Sequence, residues 1–197
     1  MTTKQTYKTG LGTSDADSIT LLGHDLATEI LGKYSFGELS YYLITKRRPT
    51  PGQLVMFEAV LASLADHGFT PTAIAARLTY ASAPDSLQGA LAAGLLGGGS
   101  RFLGVTEDCA HFLARELKEI GDAPTTQNGW DAAALNAVQK QRDIGKFVPG
   151  LGHPVHKQGD PRTPVLMAMA REQGLFGSHL SLFEAIGRVH SQVLGKT

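Results

Sequence analysis

Cysteine is almost absent from this chain. Its 197 residues include one, Cys109, so no internal disulfide can form and a reducing compartment, the cytoplasm, is expected. Charge of one sign is not in excess either. Eighteen Lys and Arg stand against 18 Asp and Glu, which leaves no net field to draw in nucleic acid or an anionic membrane surface. No apolar run approaches the ~18 residues of a membrane span, and the polar start from Met1 to Gly10 lacks the apolar core of a secretory signal. Fixed-period repeats, low-complexity tracts, hairpin signals and alternating runs long enough for a strand are missing as well. These absences leave an all-α class, with enough residues to bury a sizeable core.

What is present has the period of helices. Ile19, Leu22, Leu26 and Ile30 recur at three and four and predict one buried stripe along a helix over Ser18–Leu31. Ser35, with Glu38 three residues on, has the pattern of a capping box and opens Phe36–Thr45. Thr50-Pro51 and Thr70-Pro71 are two further starts, because proline at the first helical position gives up an N–H that has no intrahelical partner. They open helices over 52–66 and 72–82. Later elements are expected at 85–103, interrupted near Gly97-Gly98-Gly99, and at 106–119, 131–142, 164–173 and 178–194. The stretch Gly121–Gly129 reads as a linker. It either separates a large helical domain, 1–120, from a smaller lobe with a return helix, 121–197, or is a surface loop in a single bundle.

The chemistry concentrates in Gly152-His153-Pro154-Val155-His156-Lys157-Gln158-Gly159-Asp160-Pro161-Arg162, preceded by Pro149-Gly150-Leu151. Proline and glycine keep this stretch from being a regular helix. A loop of that kind can turn two imidazoles, an ammonium and a guanidinium toward one small anion. The guanidinium of Arg162 is a planar fork matched to a carboxylate. The imidazole of His153 can donate to a carbonyl or hydroxyl oxygen and stabilise charge developing there. Lys157 is a point charge suited to a phosphate. On composition alone a solvated loop whose charges do nothing is the favoured reading. For His67 the plain alternative is a cation at a helix C-terminus, worth ~0.3–1 kcal/mol there. His153 and His156 lie three apart with Asp160 beyond them, but without a cysteine or carboxylate cluster, so no metal is expected.

Taken with segments elsewhere, this loop resembles the citrate synthase family, which writes it G-H-x-V-x-x-x-D-P-R. Leu22-Gly23-His24-Asp25-Leu26, Tyr34–Leu43 and Lys46–Thr50 are similar to that family's N-terminal run. Asp66-His67-Gly68 falls at its D-H pair, and Gly94-Leu95-Leu96-Gly97-Gly98-Gly99 falls at its G-P-L-H-G-G. The resemblance implies a helical bundle with a large and a small lobe, lacking the family's C-terminal segment and the aspartate base within it. It also implies roles. His67 would hydrogen-bond an oxaloacetate or citrate moiety, His153 would donate to its keto or hydroxyl oxygen, and Arg162 would grip a carboxylate. The backbone of Pro149, Gly150, Leu151 and Gly152 would cradle the adenine of coenzyme A, with Lys157 near its phosphates.

Gly97 stands where the family carries a histidine that bonds the acetyl thioester. Loss of such a donor commonly lowers a rate by about 10²–10³, unless an amide of the triple glycine replaces it; close helix packing is the other reading of that stretch. Short relatives with a glycine there look like the citryl-coenzyme A lyase branch. The expected reaction is therefore cleavage of citryl-coenzyme A to acetyl-coenzyme A and oxaloacetate, with a coenzyme A thioester as substrate and no metal. Citrate synthesis, or a non-catalytic module binding coenzyme A or a carboxylate, are the alternatives. A homodimer is implied too, with 85–103 and 106–119 as its contact helices and with no nucleic-acid or membrane partner.

Overall fold

The computed structural model describes residues 9–65, 68–99, 104–153, 156, 157 and 159–195. Helix dominates, as expected, and two compact units can be distinguished, one ending at Ala62 and the other beginning at Ser63. The expected boundary at 121 falls inside the second unit, where residues from both sides of it contribute to one core.

The first unit begins with a departure from the helix expected over Ser18–Leu31. Strands β1 (Gly12–Ser14), β2 (Ile19–Leu21) and β3 (His24–Asp25) form a small antiparallel sheet in that order. A π-helical turn, Leu26–Ile30, follows. The reason is local. Asp15 Oδ1 accepts from the amides of Asp17 and Ser18 and from the Ser18 hydroxyl, which closes the β1–β2 turn. Leu22 and Gly23 have φ of 50° and 85° between paired Leu21 and His24, so they make a two-residue hairpin of type I′. Leucine is an unusual first residue for such a turn, which is why the spacing of Ile19, Leu22, Leu26 and Ile30 read as helical. Ile30 is nonetheless buried, as the stripe required.

Helix α1, Phe36–Thr45, is capped as expected, with the Glu38 amide donating to Ser35 Oγ at 3.1 Å. The Glu38 carboxylate meets Arg48 at 3.4 Å. Helix α2, Pro51–Ser63, starts at a reciprocal box: the Thr50 amide donates to Gln53 Oε1 at 3.0 Å, and the Gln53 amide donates to Thr50 Oγ1 at 3.3 Å. Tyr41 and Phe57 join α1 to α2 edge to face, with centroids 5.5 Å apart.

In the second unit, α3 (Pro71–Ser82) and α4 (Leu87–Leu96) pack against each other. A Cβ added at Gly94 would come within 3.2 Å of Ala76 Cβ, so the two helices approach as closely as small residues permit. Their outward side is apolar and exposed at Leu78, Leu87, Leu91, Leu95 and Leu96. Helix α5 (Val105–Ile120), α6 (Gln127–Asp143) and α8 (Ser178–Leu194) build the main core, with α8 packed against both others. Phe112, Val138, Leu182 and Ile186 are its largest fully enclosed side chains, and Ala134, Ala137 and Ala185 let α6 and α8 approach closely. Helix α6 begins four residues earlier than its apolar pattern indicated, because Thr126 Oγ1 caps the Gly129 amide. Helix α7, Arg162–Glu172, leads from the His- and Arg-bearing loop back toward α8. Among the described residues, no helix is long and apolar enough to cross a membrane.

Candidate active site

The loop between α6 and α7 leaves the core at Val148, which is buried. The Leu151 amide donates to the Val148 carbonyl at 3.2 Å, closing a turn through Pro149 and Gly150. Gly150 has φ of 82° and lies directly against the core: a Cβ there would sit 2.7 Å from Cys109 Sγ and 3.2 Å from Phe183 Cε2. Only glycine combines that dihedral with that closeness. The segment Pro149–Gly152 is thereby a backbone ledge on α5 and α8. Cys109 is half-buried beneath it, and burial pushes its thiol pKa up, which keeps it in the unreactive thiol form.

Beyond the ledge the chain turns back on itself. The His156 amide donates to His153 Nδ1 at 3.0 Å, and the two imidazole rings lie 4.5 Å apart at 31°. With Nδ1 accepting, a neutral His153 carries its proton on Nε2. The ring is thus oriented by main chain, and in that tautomer its outer nitrogen carries the N–H.

Asp160 and Arg162 form the second half of the cluster. Asp160 Oδ1 accepts from the Arg162 amide and from Nε, both at 2.9 Å, and Oδ2 accepts from Nη2 at 2.5 Å. The guanidinium's hydrogen bonds hold the Asp160 carboxyl well below the usual carboxylate range, helped by the Arg162 amide and the guanidinium charge and opposed by burial. Arg162 Nη1 donates further to the Ser63 carbonyl at 3.0 Å. Among the described residues, three of the five guanidinium N–H groups are engaged by these contacts, one remaining on each terminal nitrogen. Side-chain ligand atoms of His153, His156 and Asp160 all lie within 4.8 Å of one another. Asp160 therefore links the imidazole pair to the guanidinium in a single half-buried group.

Of the residues singled out from the sequence, the structure brings His153 and Arg162 into this group and places Pro149, Gly150, Leu151 and Gly152 on the ledge beside it. Lys157 is exposed. His67 lies outside the described residues. Gly97 caps the end of α4, its amide donating to Ala93 at 3.1 Å, and the Gly98 amide donates to Leu95 at 3.0 Å. Those two amides are occupied by helix termination and do not replace a missing imidazole. The sequence reading passed over two participants, the His156 amide and the Asp160 carboxylate. The Asp160-Pro161-Arg162 spacing held a signal for the second, because an aspartate two residues before an arginine at a helix start can bond both its amide and its side chain.

This helical scaffold with its His- and Arg-bearing loop defines a class, and the chain belongs to the citrate synthase family: the model of the citrate synthase C-terminal domain matches residues 12–196. Among solved structures it is similar to citryl-CoA lyase from Hydrogenobacter thermophilus, with a TM-score of 0.83 and 30% identity over 98% of this chain and 71% of that one. ATP citrate lyase from Methanothrix soehngenii, solved in complex with citrate and coenzyme A, shares the fold with a TM-score of 0.79 and 23% identity, over 100% of this chain and 30% of that one. An ATP citrate lyase variant from Methanosaeta concilii, in complex with (3S)-citryl-CoA, gives 0.72 and 24%, over 93% and 29%. No match is found among curated proteins.

Proposed function

We propose that this chain cleaves a citryl-coenzyme A thioester to acetyl-coenzyme A and oxaloacetate. The observation that carries the reading is the His153–Asp160–Arg162 group, set beside a glycine-built backbone ledge in a member of the citrate synthase family. Similarity to a citryl-CoA lyase over nearly the whole chain supports the direction.

In the proposed reaction the substrate hydroxyl loses its proton as the adjacent carbon–carbon bond breaks. The bonding electron pair passes into the thioester carbonyl, and protonation of the resulting enolate gives the acetyl group. His153 Nε2–H faces the oxygen that becomes the keto group and stabilises its developing negative charge. The two remaining Arg162 N–H groups take a carboxylate of the oxaloacetate half, while Asp160 fixes the plane of the fork. His67 is assigned the same half of the substrate. Pro149, Gly150, Leu151 and Gly152 receive the adenine end, and Lys157 a phosphate of coenzyme A. The working unit is proposed to be a homodimer formed through the apolar side of α3 and α4. Helix α5 is a weaker candidate for that contact, because Phe112, Leu113 and Leu117 on it pack into the core.

The test is to supply citryl-coenzyme A and follow oxaloacetate and free thiol together. The lyase reading expects oxaloacetate without net thiol release, and an Arg162→Lys variant, which keeps the charge but loses the fork, at least ~10-fold lower in kcat/KM. Thiol release in step with citrate formation from acetyl-coenzyme A and oxaloacetate would establish the synthase instead. Citrate or coenzyme A binding by calorimetry with no turnover would reduce the chain to a binding module.

A further inference from the structure

The grouping of His153, His156 and Asp160 has a chemistry that substrate binding does not use. We propose that these three side chains form a binding site for one divalent transition cation of the zinc class. Two imidazoles and a carboxylate are a donor set preferred by zinc, copper and nickel over magnesium or calcium, which require oxygen ligands almost exclusively.

Geometry supports the assignment. A tetrahedral zinc with ligand bonds of about 2.0–2.2 Å needs donor atoms roughly 3.4 Å apart, and all three donors already lie within 4.8 Å of one another. All three residues are half-buried on one short loop. The Asp160 carboxylate offers four lone-pair positions; among the described residues, Arg162 fills two at Oδ1 and one at Oδ2.

The bond from the His156 amide to His153 opposes the cation. A metal on His153 displaces the His156 amide from Nδ1, or forces the proton to Nδ1 facing that amide. Losing one neutral hydrogen bond lowers affinity by roughly 2–10-fold, too little to cancel three-ligand coordination but enough to make the site reversible. An occupied site would hold His153 away from the substrate oxygen, so zinc would inhibit. That consequence rests on the function proposed above, whereas cation binding does not.

The experiment titrates zinc chloride into the metal-free full chain without substrate, by calorimetry, and repeats it with magnesium chloride. Cobalt(II) is added in parallel, its visible absorption reporting imidazole coordination. The expected result is one zinc per chain with a dissociation constant below about 100 µM and no magnesium signal. His156→Ala should lower zinc affinity by more than the ~10–100-fold that loss of a mere supporting partner causes, with helical circular dichroism unchanged. His111→Ala removes an exposed imidazole on α5 and should leave the titration as it was. The proposal is overturned if no one-to-one zinc binding occurs, if His156→Ala leaves the affinity unaltered, or if His111→Ala abolishes it.

Discussion

Gly150 is the position where the fold and the proposed coenzyme ledge depend on a single missing methyl group, and Gly150→Ala tests that dependence directly. The new Cβ would have to accept φ of 82° and a contact of 2.7 Å with Cys109 Sγ. A left-handed dihedral on a non-glycine residue costs ~1–2 kcal/mol, and forcing a methyl into a packed site costs ~1–3 kcal/mol. Together they predict destabilisation of roughly 2–5 kcal/mol. For a chain of this size that is a fall in Tm of about 4–20 °C in a thermal unfolding scan, at 2–4 °C per kcal/mol.

The two contributions separate in a double-mutant cycle. Cys109→Ala alone removes a half-buried sulfur. In the Gly150→Ala background it should recover the share of the steric part due to Sγ and leave the dihedral part and the Phe183 contact, a coupling of ~1–2 kcal/mol. If Gly150→Ala stays within ~0.5 kcal/mol of the parent, or Cys109→Ala gives no recovery, the ledge is not built as described.

Further outcomes follow from other elements. The folded-state pKa of Asp160 is depressed, so its contribution to stability is present above the ordinary carboxylate pKa of ~3.9 and is lost as pH falls through the folded value; the stability gap between the parent and Asp160→Asn, measured by denaturant unfolding, should hold from about pH 7 to pH 5 and narrow below about pH 4. Glu116 is a buried carboxylate on α5 that accepts from Arg115 at 2.9 Å and Lys140 at 3.3 Å. Because both cations are substantially exposed, Glu116→Gln should cost about 1–2 kcal/mol rather than the full value of a buried ion pair, visible as a Tm lower by about 2–8 °C. Leu91 lines an apolar groove of about 840 Å³ along α3 and α4, with Phe69, Ile74, Leu78, Tyr80 and Leu87. Leu91→Asp should turn a dimer into a monomer by light scattering at micromolar concentration without changing the helical signal, and a parent that is already monomeric would refute the dimer.

Helices whose caps and stripes agree were legible in the sequence. Ser35 with Phe36–Thr45, Thr70-Pro71 with α3, and Ser178–Leu194 all appear within a residue of their expected positions, because local hydrogen bonding and a one-sided apolar face fix the same boundaries. Residues 19–30 were not, because a spacing of three and four arises equally from a strand, a two-residue turn and a second strand followed by a tight helical turn. The deciding information is the pair of positive φ angles at Leu22 and Gly23, and leucine gives no warning of one. The start of α6 was missed for a milder reason: Thr126 caps a first turn that carries too few apolar residues to show a period.

The candidate site was legible in residue type but not in partnership. Arg162 read as a free fork for a carboxylate ligand, yet it reaches its position by bonding a carboxylate of its own chain and the carbonyl of Ser63. That arrangement has a functional logic. A guanidinium on a flexible stem loses rotamer entropy, up to ~2 kcal/mol, whenever a ligand orders it. Asp160 orders it in advance and, among the described residues, leaves a donor on each terminal nitrogen. The same carboxylate lies close enough to the two imidazoles to complete a cation site, so the residue that prepares the fork for an anionic substrate also makes the loop attractive to a metal. Asp160→Asn should therefore weaken both properties together, whereas His156→Ala, which leaves the fork and its partner untouched, should weaken cation binding alone.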